Sequence, residues 1–246
     1  MTQFNLRTVG ALRMMEKGEQ KCPSTLVMVA ALNEEEGIRS TLVEINDFLD
    51  MPLCLVVDGR STDGTVRVAK DVGAQVVFQK GSGKGDAIAA GIVHARGLDV
   101  KYVVFIDADF TYPAEFLPRM IEMLEENPNV GMICGNRFNH HFHFENMPNI
   151  FYTGNRLIAS VHNLLNGVQM RDPLTGLRVV RWEILKGWKP RSKGFDVEVE
   201  MNHHVERKGY GILELPIYYR ARVGKKKLKI KHGFTILRRI LAEALG

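Results

Sequence analysis

Apolar and polar positions along this chain change period in a regular order from Thr25 onward. Thr25-Leu-Val-Met-Val-Ala-Ala-Leu32 is a continuous apolar run of strand length. Glu34 to Leu49 repeats its apolar positions at helical spacing and opens with acids, which suit a helix N-terminus. Leu53 to Val57 reads as a second strand, Thr65 to Val72 as a short helix and Gln75 to Gln79 as a third strand. Gly81-Ser-Gly-Lys-Gly85 leads into a helix through Ala95, and Val100 to Ile106 forms the fourth strand. Pro113 to Glu126 is helical with proline in its first turn, and Val130 to Cys134 is the fifth strand. Strands alternating with helices over residues 24–135 predict a doubly wound, mostly parallel α/β sheet.

The second half is less regular. Phe151 to Leu165 and Phe195 to Arg207 read as helices, and Leu177 to Val180 as a short strand. Gly211 to Arg220 is a strand whose internal Pro216 places it at a sheet edge. Leu228 to Leu245 is amphipathic, with Leu228, Ile230, Phe234, Leu237 and Leu241 along one face and Lys or Arg on the other. No internal repeat or low-complexity linker separates the halves, so they are expected to form one body over 24–221. Residues 1–23 are expected to be an N-terminal extension, and residues 222–246 a basic loop and helix packed on or near that body.

Charge sharpens this picture at one place. The chain's formal net charge is +5, yet from Arg220 to the end nine Lys and Arg face one acid, Glu243. The rest of the chain is net negative. A basic end of this kind suits phosphate groups or an anionic membrane surface, and the lack of interleaved aromatics argues against nucleic acid. Cys22, Cys54 and Cys134 have no CxxC spacing, which suggests a reducing compartment. No run approaches the ~18 apolar residues of a spanning helix, and Met1 to Gln20 lacks the apolar core of a secretory signal. The expected location is cytoplasmic, peripheral at the cytoplasmic face of a membrane.

Candidate chemistry gathers at the strand ends, where open α/β sheets bind ligands. The first strand ends in Asn33-Glu34 and the second in Asp58, followed by Gly59-Arg-Ser-Thr-Asp63-Gly-Thr65. The third leads to Gly83-Lys84-Gly85, and the fourth ends in Asp107-Ala108-Asp109. Two carboxylates two residues apart repel unless a cation lies between them, and a hard divalent ion with substrate phosphates would relieve that. The same pair could equally end a strand in a solvated turn. The glycine loop fits neither GxxxxGK[ST] nor a GxGxxG after the first strand, which argues against NTPases and dehydrogenases. Asp196, Glu198 and Glu200 could be one charged helix face. His140, His141 and His143 fit no standard zinc spacing and read as a solvated loop, and His203-His204 as structural.

Taken in order, Ala31-Leu-Asn33-Glu34-Glu-Glu-Gly-Ile38, Val57-Asp58-Gly-Arg-Ser-Thr-Asp-Gly-Thr65, Gly83-Lys-Gly85 and Asp107-Ala108-Asp109 resemble the family 2 inverting glycosyltransferases of GT-A fold. Gly135-Asn-Arg137-Phe138, Asn155-Arg156, Asp172-Pro-Leu-Thr175-Gly176-Leu-Arg178, Gly194-Phe195-Asp196-Val-Glu198-Val-Glu200-Met201 and Arg222-Val-Gly224-Lys-Lys-Lys227-Leu228 are similar to the dolichol-phosphate mannose synthase branch. The resemblance covers about 24–240.

It implies a GT-A fold with an acceptor-side α+β extension and a nucleotide-sugar site at Ala31, Asn33, Glu34, Asp58, Lys84, Asp107, Ala108, Arg222 and Lys227. Asp107 and Asp109 would hold Mg²⁺ or Mn²⁺ on the donor diphosphate. Arg137 and Arg156 would face the acceptor phosphate, and Arg222 and Lys227 would lie on a mobile loop closing on phosphates. Thr111 stands where the family often has a metal-binding Gln, and Thr175-Gly176-Leu177 replaces its usual Ser-Gly-Phe.

The implied reaction moves a hexose from a GDP-mannose or UDP-glucose type donor to a polyprenyl (dolichyl) phosphate, with no nucleic acid involved. A hydroxyl acceptor would need a base, for which Asp196 or Glu198 would serve. Two alternatives remain. A sugar-nucleotide pyrophosphorylase would need a basic glycine-rich loop after the first strand, where residues 31–38 are acidic. A non-catalytic membrane binder would need only the tail.

Overall fold

The computed structural model describes residues 25–138, 149–166, 169–225, 227 and 231–245. The N-terminal extension 1–23, the histidines at 140, 141 and 143, and Lys226, Leu228 and Ile230 lie outside the described residues. In chain order the strands are β1 (Thr25–Ala31), β2 (Leu53–Asp58), β3 (Gln75–Phe78), β4 (Tyr102–Asp107), β5 (Val130–Asn136), β6 (Arg178–Arg181) and β7 (Gly211–Pro216). The helices are α1 (Glu35–Phe48), α2 (Thr65–Asp71), α3 (Lys84–Ala95), α4 (Leu117–Glu126), α5 (Asn149–Asn166), α6 (Trp182–Leu185), α7 (Val197–Arg207) and α8 (Lys231–Ala244).

The strands form one sheet in the order β3-β2-β1-β4-β6-β5-β7. β1 pairs parallel with β2 and β4 in a register that sets Ala31 opposite Asp58 and Ala30 opposite Asp107. That register alone brings the carboxyl ends of three strands to one edge. β6 runs antiparallel to both β4 and β5. The sheet is mostly parallel, as the pattern predicts, and β6, a strand from the second half, is the antiparallel member that separates the fourth and fifth strands. β7, with Pro216 at its end, is at the sheet edge as its proline requires.

Both faces of the sheet are covered, which explains the uninterrupted apolar runs. The period-two alternation of β1 sends Val27, Val29 and Ala31 into a core with Ile38, Leu42 and Ile45 of α1 and Leu117, Met120 and Leu124 of α4. Leu26 and Met28 enter the opposite core with Ala87, Ile88 and Ile92 of α3 and Val197, Met201 and Val205 of α7. A smaller cluster of Ile158, Val199, Ile236 and Ile240 joins α5, α7 and α8. Glu243 fastens α8 further: its carboxylate is 2.8 Å from Arg207, 3.2 Å from Arg191 and 3.3 Å from Arg239.

His162 of α5 is fully buried. Its Nε2 lies 3.5 Å from the Asn202 amide and its ring centroid 5.3 Å from that of His203. Burial, then the neighbouring His203, pushes its pKa down from 6.5 to about 4. Between those values the unfolded chain takes up a proton that the folded chain refuses. Stability therefore falls as pH drops through that window, by about 3 kcal/mol for this group. A denaturant midpoint measured at about pH 7 and about pH 4.5 should fall less for His162→Gln than for the wild type. An equal fall would mean that His162 does not carry the acid sensitivity.

Candidate functional site

The loops after β1 and β2 are stitched together by the short polar residues that sequence reading found there. The Asn33 amide carbonyl accepts from the Thr62 N–H at 2.7 Å, and the Asn33 N–H donates to the Ser61 hydroxyl at 2.8 Å. Asn33 takes a left-handed backbone, φ 51°, which asparagine tolerates better than most residues. Asp58 is fully buried. Its two oxygens accept from the Ser61 N–H at 2.8 Å and the Ser61 hydroxyl at 2.6 Å, so this carboxylate is spent on the turn.

β4 ends in the two acids. The Lys84 ammonium, presented by the first turn of α3, donates to Asp107 Oδ1 at 2.6 Å and lies 2.8 Å from Glu198 Oε1 of α7. Gly85 has its position because a Cβ there would stand 2.1 Å from the Ser192 carbonyl oxygen. Through this contact the glycine loop seats Lys84 on the segment preceding α7. Asp109 Oδ1 accepts from the Thr111 hydroxyl at 2.6 Å and the Thr111 N–H at 3.2 Å. Its Oδ2 accepts from Arg222, whose other terminal nitrogen donates to Glu34. Lys227 donates to the Asn33 carbonyl at 2.8 Å and lies 2.6 Å from Glu34 Oε1.

The electrostatics split the acid pair. Burial would push Asp107 up, but the charge and hydrogen bond of Lys84, with Arg137 and Arg222, hold its carboxyl below the usual range. Burial pushes Asp109 up, and the neighbouring Asp107 charge adds to it, against the pull of Arg222 and Thr111. Burial likewise raises Glu34, against Lys227 and Arg222. Lys84 stays firmly protonated, because Asp107 and Glu198 outweigh its burial. The two neighbouring acids therefore differ in how readily each takes up a proton.

These groups enclose a cavity of about 540 Å³. Ala31, Glu34, Lys84, Asp107, Ala108, Asp109, Arg137, Glu198, Arg222 and Lys227 line it. Asn33 and Asp58 do not; they shape its rim from behind. Two further expectations are corrected. Arg156 is on α5 outside the lining. Asp196 is buried at the start of α7, 3.3 Å from Arg239, where it holds α8. The helix-face reading of Asp196, Glu198 and Glu200 also fails, since all three are buried. Glu200 accepts the N–H groups of Arg191 and Ser192 at 2.7 and 2.6 Å.

Sequence reading gave no role to the lining residues Tyr112, Leu174, Phe195 and Tyr219; Leu174 and Phe195 stand inside quoted motifs, and no motif marks the two tyrosines. It also gave Asp172 no role. That fully buried carboxylate takes Nε and Nη2 of Arg137 at 2.7 Å each, which fixes one edge of the Arg137 fork inside the protein. The Arg137 guanidinium is set among rings, 5.3 Å from the centroid of Tyr219 and 5.4 Å from that of Phe138.

A second cavity of about 270 Å³ continues from the first. The two share Arg137, Phe151, Asn155, Leu174, Phe195 and Glu198. Beyond that junction the walls are apolar, with Ile150, Leu157 and Ile158 from α5 and Phe234, Ile236 and Leu237 from α8.

Among the described residues no three His, Cys, Asp or Glu side chains cluster as metal ligands. Asp107 and Asp109 fit a different arrangement, in which a hard ion takes two carboxylates and completes its shell with substrate phosphate and water. Thr111 is fully buried and fastens Asp109, so it supports the pair from behind instead of adding a third ligand.

The comparisons agree with this geometry. The model for glycosyl transferase family 2 matches residues 26–188. Over 204 residues the chain is 32% identical to a dolichyl-phosphate hexose transferase of Haloferax volcanii, covering 82% of this chain and 85% of the relative. It is 29% identical to an undecaprenyl-phosphate mannosyltransferase of Micrococcus luteus, covering 82% and 86%. A dolichol-phosphate mannosyltransferase of Pyrococcus furiosus is 27% identical, covering 87% of this chain and 62% of the relative. Among solved structures, glucosyl-3-phosphoglycerate synthase from Mycobacterium tuberculosis, in complex with Mn²⁺, UDP and phosphoglyceric acid, superposes with a TM-score of 0.70. That match has 21% identity and covers all of this chain and 83% of that one, which bears out the GT-A architecture. With its resemblance to the dolichol-phosphate mannose synthase branch supported by these relatives, the chain belongs to glycosyl transferase family 2.

Proposed function

We propose that this protein is an inverting, metal-dependent hexosyltransferase that moves mannose or glucose from a nucleotide-sugar to a polyprenyl phosphate. The observation that carries the reading is the joining of a charged cavity to an apolar one through a shared wall at Arg137 and Glu198. A donor diphosphate suits the first, an isoprenoid chain the second, and the acceptor phosphate would sit at their junction. The names of the relatives, a dolichyl-phosphate hexose transferase and an undecaprenyl-phosphate mannosyltransferase, support the same substrate class.

In this reading Asp107 and Asp109 hold Mg²⁺ or Mn²⁺, which when bound supplies positive charge against the diphosphate leaving group. Asn33, Glu34 and Asp58 shape the nucleoside end. Lys84 keeps Asp107 ionised and in place, and Arg222 and Lys227 take diphosphate oxygens. The acceptor's phosphate oxygen attacks the anomeric carbon from the face opposite the leaving group. A new C–O bond forms as the bond to the diphosphate breaks, and the nucleoside diphosphate departs with the electron pair. That oxygen is already anionic at neutral pH, so no base is required, and the remaining donors of Arg137 serve to orient it. Glu198 would matter as a base only for a hydroxyl acceptor; its Oε2 is buried without a hydrogen-bond partner among the described residues.

No helix among the described residues is long and apolar enough to cross a membrane. Leu157 and Leu164 of α5 and Phe234 and Leu241 of α8 are nevertheless exposed, close to the basic end of the chain. They would rest on the membrane surface, at its cytoplasmic face. The test is transfer to vesicle-borne polyprenyl phosphate by Phe234→Asp and Leu157→Asp. Each should raise the KM for the lipid about tenfold or more while leaving donor affinity unchanged. An unchanged lipid KM, with equal transfer to a short soluble acceptor, would contradict the lipid assignment.

A further inference from the structure

Each acid of the site contacts one of the protein's own cations, and the contact of Asp109 with Arg222 bears on how the site loads. Asp109 has two oxygens. Thr111 holds Oδ1 from behind with its hydroxyl and N–H, and Arg222 holds Oδ2. The oxygen that an incoming metal would need is therefore the one that Arg222 occupies. The same guanidinium reaches Glu34, so it stands between two carboxylates where a divalent ion's charge would otherwise serve.

The backbone is pinned on either side of Arg222. The Arg220 N–H donates to the Thr111 carbonyl at 3.0 Å and the Val223 N–H to the Asp109 carbonyl at 3.1 Å. Arg220 itself is clamped by Glu44 at 2.5 and 2.8 Å and lies 4.4 Å from the centre of the Phe110 ring. Past Val223 the chain turns through Gly224 at φ 84°, and the contacts of Arg222 and Lys227 with the acids hold it down. The seating is also incomplete, for Arg222 Nε and Glu34 Oε2 are both buried with no hydrogen-bond partner among the described residues. A phosphate offers a guanidinium a planar, bidentate match with charge-assisted bonds, so a diphosphate is the natural ligand to draw Arg222 away.

We propose that Arg222 is an interlock, which holds the metal-facing oxygen of Asp109 until a nucleoside diphosphate takes the guanidinium, so that the divalent ion is admitted with the nucleotide and excluded before it. The inference rests on the metal and diphosphate reading of the site given above. Removing Arg222 should then do two opposite things: free Asp109 for metal in the empty protein, and weaken the hold on diphosphate. A residue that merely binds phosphate would do only the second.

The test is a titration of Mn²⁺ followed by its electron paramagnetic resonance, without nucleotide, on wild-type protein, Arg222→Gln and Arg222→Lys. Arg222→Gln should bind Mn²⁺ alone about tenfold tighter than the wild type, with Arg222→Lys closer to the wild type, and the gap should shrink when UDP or GDP is added. If Arg222→Gln binds Mn²⁺ no tighter than the wild type, while both take it up with nucleotide, the interlock is wrong and the metal site stands. If neither binds Mn²⁺ with or without nucleotide, both the interlock and the metal reading fail.

Discussion

Asp109→Asn is expected to lose hexose transfer by at least about a hundredfold while melting near the wild-type temperature. The two halves of that expectation have one cause. The ionised Asp109 carboxylate is disfavoured by burial and by the adjacent Asp107 charge, which is why its pKa is raised. Asparagine keeps the oxygen that accepts from Thr111 and removes the repulsion from Asp107, which offsets the loss of the Arg222 contact, so the fold should hold. The same change removes half of the charge that faces a donor diphosphate through a metal. Transfer assays and thermal melts on one preparation read both effects. A variant with near wild-type transfer would mean that the acid pair is a strand-end turn and nothing more.

Gly176→Ala should be nearly as damaging for a different reason. A Cβ at Gly176 would stand 2.4 Å from Asp107 Oδ2 and 2.8 Å from its Cγ. The surrounding segment has little room to yield. The Gly176 N–H donates to the Tyr112 hydroxyl at 2.6 Å, and the fully buried Arg178 donates to the Thr175 and Pro173 carbonyls at 2.9 and 2.7 Å and to Asn202 at 2.5 Å. The added methyl must therefore push the Asp107 carboxylate off its contact with Lys84. A misplacement of about 1 Å at a reacting site costs on the order of a hundredfold in rate, and overpacking costs about 1–3 kcal/mol in stability. Gly97→Ala, where nothing lies within 4 Å of the added atom, is the matched control and should retain both properties. Equal activity in the two alanine variants would show that Asp107 does not need its present position.

Much of this site could be read from the sequence because it is built where local pattern and function coincide. An apolar run that ends in Asp107-Ala108-Asp109 states both a buried strand and the edge at which it stops. Parallel pairing of β1, β2 and β4 then delivers three such ends to one place. Gly83-Lys84-Gly85 was legible as a loop with a cation, although the target of Lys84 was not. What stayed hidden depends on contacts distant in sequence. β6 enters between β4 and β5 from a segment whose short apolar run says nothing about direction or neighbour. Asp196 and Glu200 were open to reading as one charged helix face, because three acids in close succession suit polar surface as well as chemistry. Their partners, Arg239 and the loop before α7, are visible only once α8 is docked. Thr111 seemed a vacancy in a metal shell, and in the fold it is the support that fixes one oxygen of Asp109. Gly176 carried the same lesson: its value is the room it leaves for Asp107, which is about 70 residues earlier in the chain.

The most direct test of the proposed activity is a donor screen. Wild-type protein and Asp109→Asn are each incubated with Mn²⁺, polyprenyl phosphate in vesicles and one radiolabelled nucleotide-sugar at a time, GDP-mannose and UDP-glucose among them, and the label entering the organic phase is counted. The predicted result is label from one nucleotide-hexose with the wild type, abolished by EDTA and by Asp109→Asn. No organic-phase label from any donor, or label undiminished in the variant, would contradict the account.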